Sequence, residues 1–376
     1  MNLEYLKEAN KKLGLTDDIQ SVKSKNLIFV YCPPKVGSTS MVSSIRLSCS
    51  HCVTILHVHD EQMLEVLCDI KNVSINEIIQ YNRFIGKNVV VIDIYRTPIE
   101  HKISAFFEKI SYHFNNTEEN INQYDINVLI QRFNNLFPHL MNTDYYRMVY
   151  NIPYIPRHFD FTNNYLMLEN DGIKYIKVRL QDATNLWSSI LKKTLDLSVY
   201  IVKDYTTEQK VISEIFKLFK QVYRIPENYL EQISQTDSLT FYLSPDERYK
   251  YLNEWCAKKT DKFEHFTNTE YILYSSVSRE NHNQLNGLRQ NIQSKHYIDE
   301  GCCCGKCSLK RKQLLTAICN GNVGALTEQD YIIHTHSPHL KVVTRRSNNI
   351  IQNRVNKYLF SVKVPSINLN NGSMFK

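Results

Sequence analysis

Lysine, glycine and three hydroxyl side chains stand together in Pro34-Lys35-Val36-Gly37-Ser38-Thr39-Ser40. They follow the apolar run Leu27-Ile28-Phe29-Val30-Tyr31 and precede a segment with helical spacing, Val42, Ile45 and Cys49. A loop between a buried strand and a helix presents free backbone N–H groups at the helix N-terminus. Those groups and the helix dipole attract a phosphate. Gly37 lets the backbone approach the anion, Ser38, Thr39 and Ser40 add hydroxyl donors, and Lys35 adds a point charge. The order differs from the Walker loop, in which lysine follows the second glycine of G-x-x-x-x-G-K-[ST]. Here lysine precedes the loop's glycine, which disfavours an ATP or GTP hydrolase.

A second set of residues ends the strongest strand signal, Asn88 to Tyr95 (NVVVIDIY): Arg96-Thr97-Pro98, then Ser104 about two helical turns into the next helix. Ligands of open α/β sheets sit outside the carboxyl ends of the strands. A guanidinium fork and a hydroxyl placed there suit one terminal phosphate.

The two segments resemble the phosphate motifs of sulfotransferases that use 3′-phosphoadenosine 5′-phosphosulfate (PAPS). The first is similar to P-K-x-G-[ST]-[ST]-x after the first strand. The second is similar to R-x-P-x-x-x-x-x-S, and Ser104-Ala105-Phe106-Phe107 matches the S-x-F ending common there. The resemblance implies PAPS as sulfuryl donor, 3′-phosphoadenosine 5′-phosphate (PAP) as product, and a P-loop-like three-layer α/β fold. It implies that Lys35 contacts the oxygen bridging phosphate and sulfate. Val36, Gly37, Ser38, Thr39 and Ser40 would hold the 5′-phosphate with it, and Arg96 and Ser104 would bind the 3′-phosphate. Many cytosolic members carry an aromatic residue where this chain has Ser40. The resemblance is strong over residues 26–107 and weaker to about residue 260. The family's late glycine-rich cofactor segment is not found, so adenine contacts stay unassigned. The neighbourhood of Arg179, Asp182 and Trp187 is similar to sulfotransferase-like proteins of capsular polysaccharide synthesis.

Transfer of this kind is governed by positioning and electrostatics, with charge building on the leaving oxygen. Lys35 is the expected stabiliser of that oxygen, and no metal is required. An acceptor hydroxyl needs a base, and His57-Val58-His59-Asp60-Glu61 ends the second strand at the same sheet edge. The resembled family draws a His or Glu base from about this place. His59 is the first choice, His57 the second and Glu61 the third. Carbohydrate-acting relatives with a paired H-x-H are the closest match, which implies a carbohydrate hydroxyl as acceptor. Tyr145, Tyr146, Tyr150, Tyr154 and Arg157, in the long stretch 113–164, suit contacts to a glycan and suit an aromatic core equally.

Cys304-Gly305-Lys306-Cys307 is a C-x-x-C knuckle with Cys302 and Cys303 beside it and Cys319, His334, His336 and His339 downstream. Tetrahedral zinc takes such ligands, although the second pair is irregular. Free buried or redox-sensitive thiols are the other reading. Two further readings of the chain compete with the sulfotransferase. One is a P-loop-like kinase or other nucleotide-dependent phosphotransferase, with Asp93 in the third strand offered as a Mg²⁺ ligand. The other is an inactive PAP-binding interaction protein.

The elements that must carry these residues are legible in outline. Strand–helix alternation over 26–205 points to α/β with a mostly parallel sheet flanked by helices. Expected strands are 27–31, 53–58, 88–95 and 198–202, with a hairpin of 165–169 and 175–180 around Asn170-Asp171-Gly172. Expected helices cover 3–13, 40–49, 61–70, 98–112, 187–195, 207–223 and 245–258. The expected organisation is an α/β domain over 1–270, a Cys/His-containing region over 271–346 and an Asn-rich, flexible tail over 347–376. The net charge of +7, from 45 Lys and Arg against 38 Asp and Glu, is too mild and too scattered for a dedicated nucleic-acid binder. No secretory signal or membrane-length apolar run is visible, and the crowded cysteines do not read as a disulfide framework. A reducing, cytoplasmic setting is the expectation, with a small molecule or glycan as partner. Oligomeric state is left open.

Overall fold

The computed structural model describes residues 3–275, apart from 115, 138–143, 205, 269, 272 and 273. Cys304, Cys307, Cys319, His334 and His336 lie outside the described residues, as do the expected tail 347–376 and the 271–346 region beyond residue 275.

The protein is α/β. Five strands, β1 (Asn26–Tyr31), β2 (Thr54–Val58), β3 (Asn88–Tyr95), β4 (Leu166–Asn170) and β5 (Ile173–Arg179), form a sheet of order β2-β1-β3-β5-β4. β1 pairs in parallel with β2 and β3, and β3 pairs in parallel with β5. Only β4 runs antiparallel, in the hairpin expected around Asn170-Asp171-Gly172.

Helices cover both faces of this sheet, which is why β1 reads as a continuous apolar run instead of an alternation. Leu27, Phe29 and Tyr31 pack with Leu6 and Ala9 of helix Leu3–Lys12 and with Ile75, Ile78 and Ile79 of helix Ile75–Phe84. Ile28 and Val30 point the other way, to Met41, Val42 and Ile45 of helix Ser38–Cys49 and to Trp187 and Ile190 of helix Trp187–Leu195. A third, aromatic-rich core joins helix Pro98–Glu108 to Phe133, Phe216, Phe219 and Trp255. Among the described residues no helix is long and apolar enough to cross a membrane.

Several elements depart from expectation, among them the unforeseen helices Glu227–Ser234 and Asp237–Tyr242. Helix Ile75–Phe84 was not foreseen, although Ser74 and Glu77 form a capping box at its start. The helix expected over 98–112 breaks after Glu108, and a second one, Ile110–Phe114, follows. The helix expected over 207–223 opens as a short 3-10 turn, Thr207–Gln209, before helix Ser213–Val222.

Residues 198–202 are not a strand. This segment lies along helix Ser38–Cys49 and donates to its serines. Tyr200 N–H donates to Ser48 Oγ at 3.0 Å, Val202 N–H to Ser44 Oγ at 2.9 Å and Asp204 N–H to Ser40 Oγ at 3.0 Å. Two residues of extended chain advance roughly 6.6 Å and four residues of helix roughly 6 Å, so alternate N–H groups meet successive turns. The serine hydroxyls thus take the donors that a neighbouring strand would otherwise have taken.

Candidate functional site

The chain leaves β1, passes through helix Ser38–Cys49 to β2 on one side, then crosses back to β3 on the other side of β1. The crevice outside the carboxyl ends of β1 and β3 is therefore the topological switch point of the sheet. Residues 32–37 and Arg96 both sit there, because they immediately follow β1 and β3.

The loop after β1 is tethered at three carbonyls by three different elements. His59, just past β2, donates Nδ1–H to Cys32 O at 2.7 Å. His101, in helix Pro98–Glu108, donates Nε2–H to Pro34 O at 2.7 Å. Arg96, at the end of β3, donates from one terminal nitrogen to Lys35 O at 2.7 Å. A carbonyl only accepts, so both imidazole tautomers are set by these bonds.

Backbone conformation sharpens the loop further. Lys35 has φ 68° and Gly37 has φ 91°, both left-handed. Gly37 is the N-cap of helix Ser38–Cys49. A Cβ on Gly37 would also meet Leu180 Cδ1 at 2.5 Å. The dihedral favours glycine here, and any larger residue would also have to push the Leu180 side chain aside. The two left-handed residues beside a helix N-terminus make a concavity of the kind that backbone N–H groups offer to anions.

Lys35 Nζ lies 3.0 Å from Glu108 Oε2, and Lys210 Nζ bonds the same oxygen. The three side chains keep only 13%, 19% and 13% of their surface for Lys35, Glu108 and Lys210. Burial works to raise the Glu108 carboxyl, but Lys210 and Lys35 outweigh it and hold it at about 2. Burial pulls Lys35 below its ordinary value, and Glu108 opposes that pull.

His101, Ser104 and Glu108 recur at i, i+3 and i+7 on the helix that starts at Pro98, so they share one face. His101 and Ser104 are buried. Burial drives the His101 imidazole down to about 4, against its bond to Pro34 O. Lys102, beside it, is pushed down to about 8 by burial alone. The helix start is held by Tyr251, whose hydroxyl donates to Glu100 at 3.0 Å and accepts from Ile99 N–H at 3.3 Å.

The remaining expected residues divide clearly. Ser38 is buried and sets its hydroxyl against the Cys32 thiol. Val36 is buried in the core, so it offers only backbone. Ser40 accepts from Asp204 N–H and donates to Asp204 O at 3.2 Å, and Ser43 donates to the Asp204 carboxylate. Ser40 therefore spends its hydroxyl on holding the chain around Asp204. Thr39 is half-buried at the same helix start.

Among the base candidates, His59 is half-buried, and burial draws its imidazole below the usual value despite the Cys32 carbonyl and nearby Asp60. Its bonded Nδ1 leaves Nε2 as the basic nitrogen. His57 is buried within β2 opposite Val30, its ring 4.7 Å from that of His59. Glu61 accepts the first N–H of helix Ile75–Phe84, from Ile75, at 3.1 Å.

Asp93, the metal ligand of the phosphotransferase reading, is wholly buried. Its oxygens accept from Lys177 Nζ at 2.6 Å, Tyr146 N–H at 3.0 Å and Ile94 N–H at 2.7 Å. Arg179 is likewise a structural node, bonded to Asp182, Glu247, Asn164 and the Tyr242 carbonyl, while Trp187 donates to its own carbonyl. Tyr146 and Tyr150 belong to the core beside Tyr31 and Tyr175, Tyr145 packs edge-on to Tyr31, and Tyr154 is 73% exposed. Among the described residues no group of three or more His, Cys, Asp or Glu side chains is placed to hold a metal ion.

Sequence reasoning missed His101, Glu108 and Lys210. The first two had a signal, polar residues at i, i+3 and i+7 on an otherwise apolar helix. Lys210 had none. No family model matches this chain, and neither a curated protein nor a solved structure does.

Proposed function

We propose that this chain is a sulfotransferase that moves a sulfuryl group from PAPS to an acceptor hydroxyl on a carbohydrate. The observation that carries the reading is the bond from Arg96 to the Lys35 carbonyl. It joins the two phosphate motifs at the switch point, one centred on Lys35 and one on Arg96 and Ser104. Left-handed backbone at Lys35 and Gly37, beside the N-terminus of helix Ser38–Cys49, supports a phosphate site there.

In this reading His59 Nε2 takes the acceptor proton while the acceptor oxygen bonds to sulfur and the sulfur–oxygen bond to PAP breaks. Lys35 stabilises the negative charge arriving on the PAP oxygen, and the loop N–H groups and Arg96 hold the phosphates in line. His59 suits the task because its tautomer is set and burial keeps the ring neutral near neutral pH. The phosphotransferase reading loses its metal ligand, since Asp93 is committed to Lys177 and two backbone N–H groups.

The test is calorimetric titration with PAP and, separately, ADP, on wild type and Arg96→Ala. PAP should bind more tightly than ADP, and the substitution should weaken PAP about 10- to 100-fold, as loss of a charged hydrogen bond does. Equal affinity for PAP and ADP, or an unaffected Arg96→Ala, overturns the reading.

A further inference from the structure

Helix Ser38–Cys49 runs out into Cys49-Ser50-His51-Cys52, a C-x-x-C spacing at the far end of the helix from Gly37. Cys52 N–H donates to Cys49 O at 3.0 Å, so this stretch closes a turn. The ends of such a turn bring their Cα atoms within about 7 Å, and a disulfide spans about 4.4–6.8 Å. The side chains converge as well. Cys52 Sγ lies 3.3 Å from Cys49 O, and the two thiols are within hydrogen-bonding reach of each other. Both are free thiols.

The pair is asymmetric. Cys49 is buried in the core that holds Ile45 and Val53, and Cys52 is half-buried at its edge. Burial, and after it the neighbouring Cys52, pushes the Cys49 thiol up to about 11. The helix C-terminus also disfavours an anion at Cys49. A pair whose thiolate is not stabilised keeps its disulfide against reduction better than one whose thiolate is. Any two small apolar residues would serve for packing alone. The approach of the two sulfurs across a turn of disulfide span is what sets this pair apart.

We infer that Cys49 and Cys52 are a redox site that closes reversibly to a disulfide, with a low-molecular-weight disulfide as the oxidant. Cys52, the more accessible, reacts first. It loses its proton, its sulfur bonds to one sulfur of the oxidant, and the other sulfur leaves as a thiolate. Cys49 then loses its proton and attacks the Cys52 sulfur, and the second thiolate leaves. Two protein thiols are oxidised, the oxidant is reduced to two thiols, and the two protons pass to the leaving sulfurs. Closure also takes from Cys49 the proton that Ser198 O accepts at 3.6 Å. That contact heads the row that seats residues 198–204 along the helix, ahead of Tyr200 on Ser48 and Val202 on Ser44. The site stands whether or not the chain is a sulfotransferase.

The experiment equilibrates the full chain with mixtures of reduced and oxidised glutathione and then blocks free thiols with N-ethylmaleimide. Digestion with trypsin and a glutamate-specific protease cuts after Arg46 and Glu61, which leaves Cys49 and Cys52 in a peptide with no other cysteine. Wild type, Cys49→Ser and Cys52→Ser are compared, with thermal melts to establish that each is folded. In oxidising mixtures the wild-type peptide should lose two hydrogens and accept no maleimide, and dithiothreitol should restore both thiols. Cys49→Ser should stop at a mixed disulfide of Cys52 with glutathione. Cys49 in Cys52→Ser should react about 10- to 100-fold more slowly than that, as a buried thiol of raised pKa does. Wild type in which both cysteines stay open to maleimide in excess oxidised glutathione, or in which each carries its own glutathione, overturns the inference. So does a disulfide from either one to Cys68 or to a cysteine of residues 302–319. Should a variant fail to fold, the wild-type peptide alone decides.

Discussion

His59 illustrates how little separates a structural residue from a base. Its Nδ1–H is spent on the Cys32 carbonyl, and that same bond leaves Nε2 as the basic nitrogen. Because burial depresses its pKa below the usual 6.5, the neutral form persists to lower pH than for an exposed histidine. The acid limb of the turnover profile is therefore expected to have its midpoint below the 6.5 of an exposed histidine. His59→Ala should lose roughly 10²–10⁴ in turnover while still binding PAP. Unimpaired turnover in that variant would return the role to His57 or Glu61. Lys35, Gly37, Arg96 and Ser104 were legible because each lies in a short stretch with its own spacing. His101, Glu108 and Lys210 are defined by partners distant in the chain, and spacing within one segment does not report such partners.

The helix Pro98–Glu108 does more than carry Ser104. Its His101 anchors the loop at the Pro34 carbonyl from a buried position, with burial holding the imidazole at about 4. The unfolded chain takes up that proton near 6.5 and the folded protein only near 4. Stability from this group is thus complete above pH 6.5 and drains away as pH falls through that interval. His101→Gln, which keeps a donor without the titration, should flatten the loss between pH 6.5 and 4 in denaturant melts. A wild-type pH profile in that variant would show that other groups control the acid limb. The serine stripe explains a misreading at the same scale. Val199 and Ile201 are buried and alternate with exposed Tyr200, which is the strand pattern. Alternate N–H groups of the segment, however, donate to serine hydroxyls of helix Ser38–Cys49. Periodicity reports which side chains are buried and does not report where the N–H groups bond.

At the scale of the molecule, the sheet was legible because parallel strands buried on both faces leave unbroken apolar runs. β1 and β3 are such runs, and the order of strands and helices between them constrains the topology. What the runs concealed is the polar spine inside the sheet. Lys177 on β5 bonds Asp93 on β3 at 2.6 Å and Asp144 at 3.3 Å, with Lys177 and Asp93 at 1% and 0% exposure. The Asp144 carboxylate also accepts from Tyr242 at 2.7 Å. Lys177→Met leaves two carboxylates facing each other without their cation. Equilibrium unfolding should show a loss of about 3–5 kcal/mol, the usual cost of stranding a buried charge. A loss under about 1 kcal/mol would mean that the carboxylates take up protons at little cost.

The left-handed backbone at Lys35 has a consequence for how such a sequence can change. A side chain other than glycine, asparagine or aspartate at φ 68° carries a conformational penalty of about 1–2 kcal/mol. Selection for heat tolerance alone would favour glycine or asparagine at this position, and each would remove the ammonium from the loop. Lineages kept for stability and lineages kept for activity should therefore part first at residue 35.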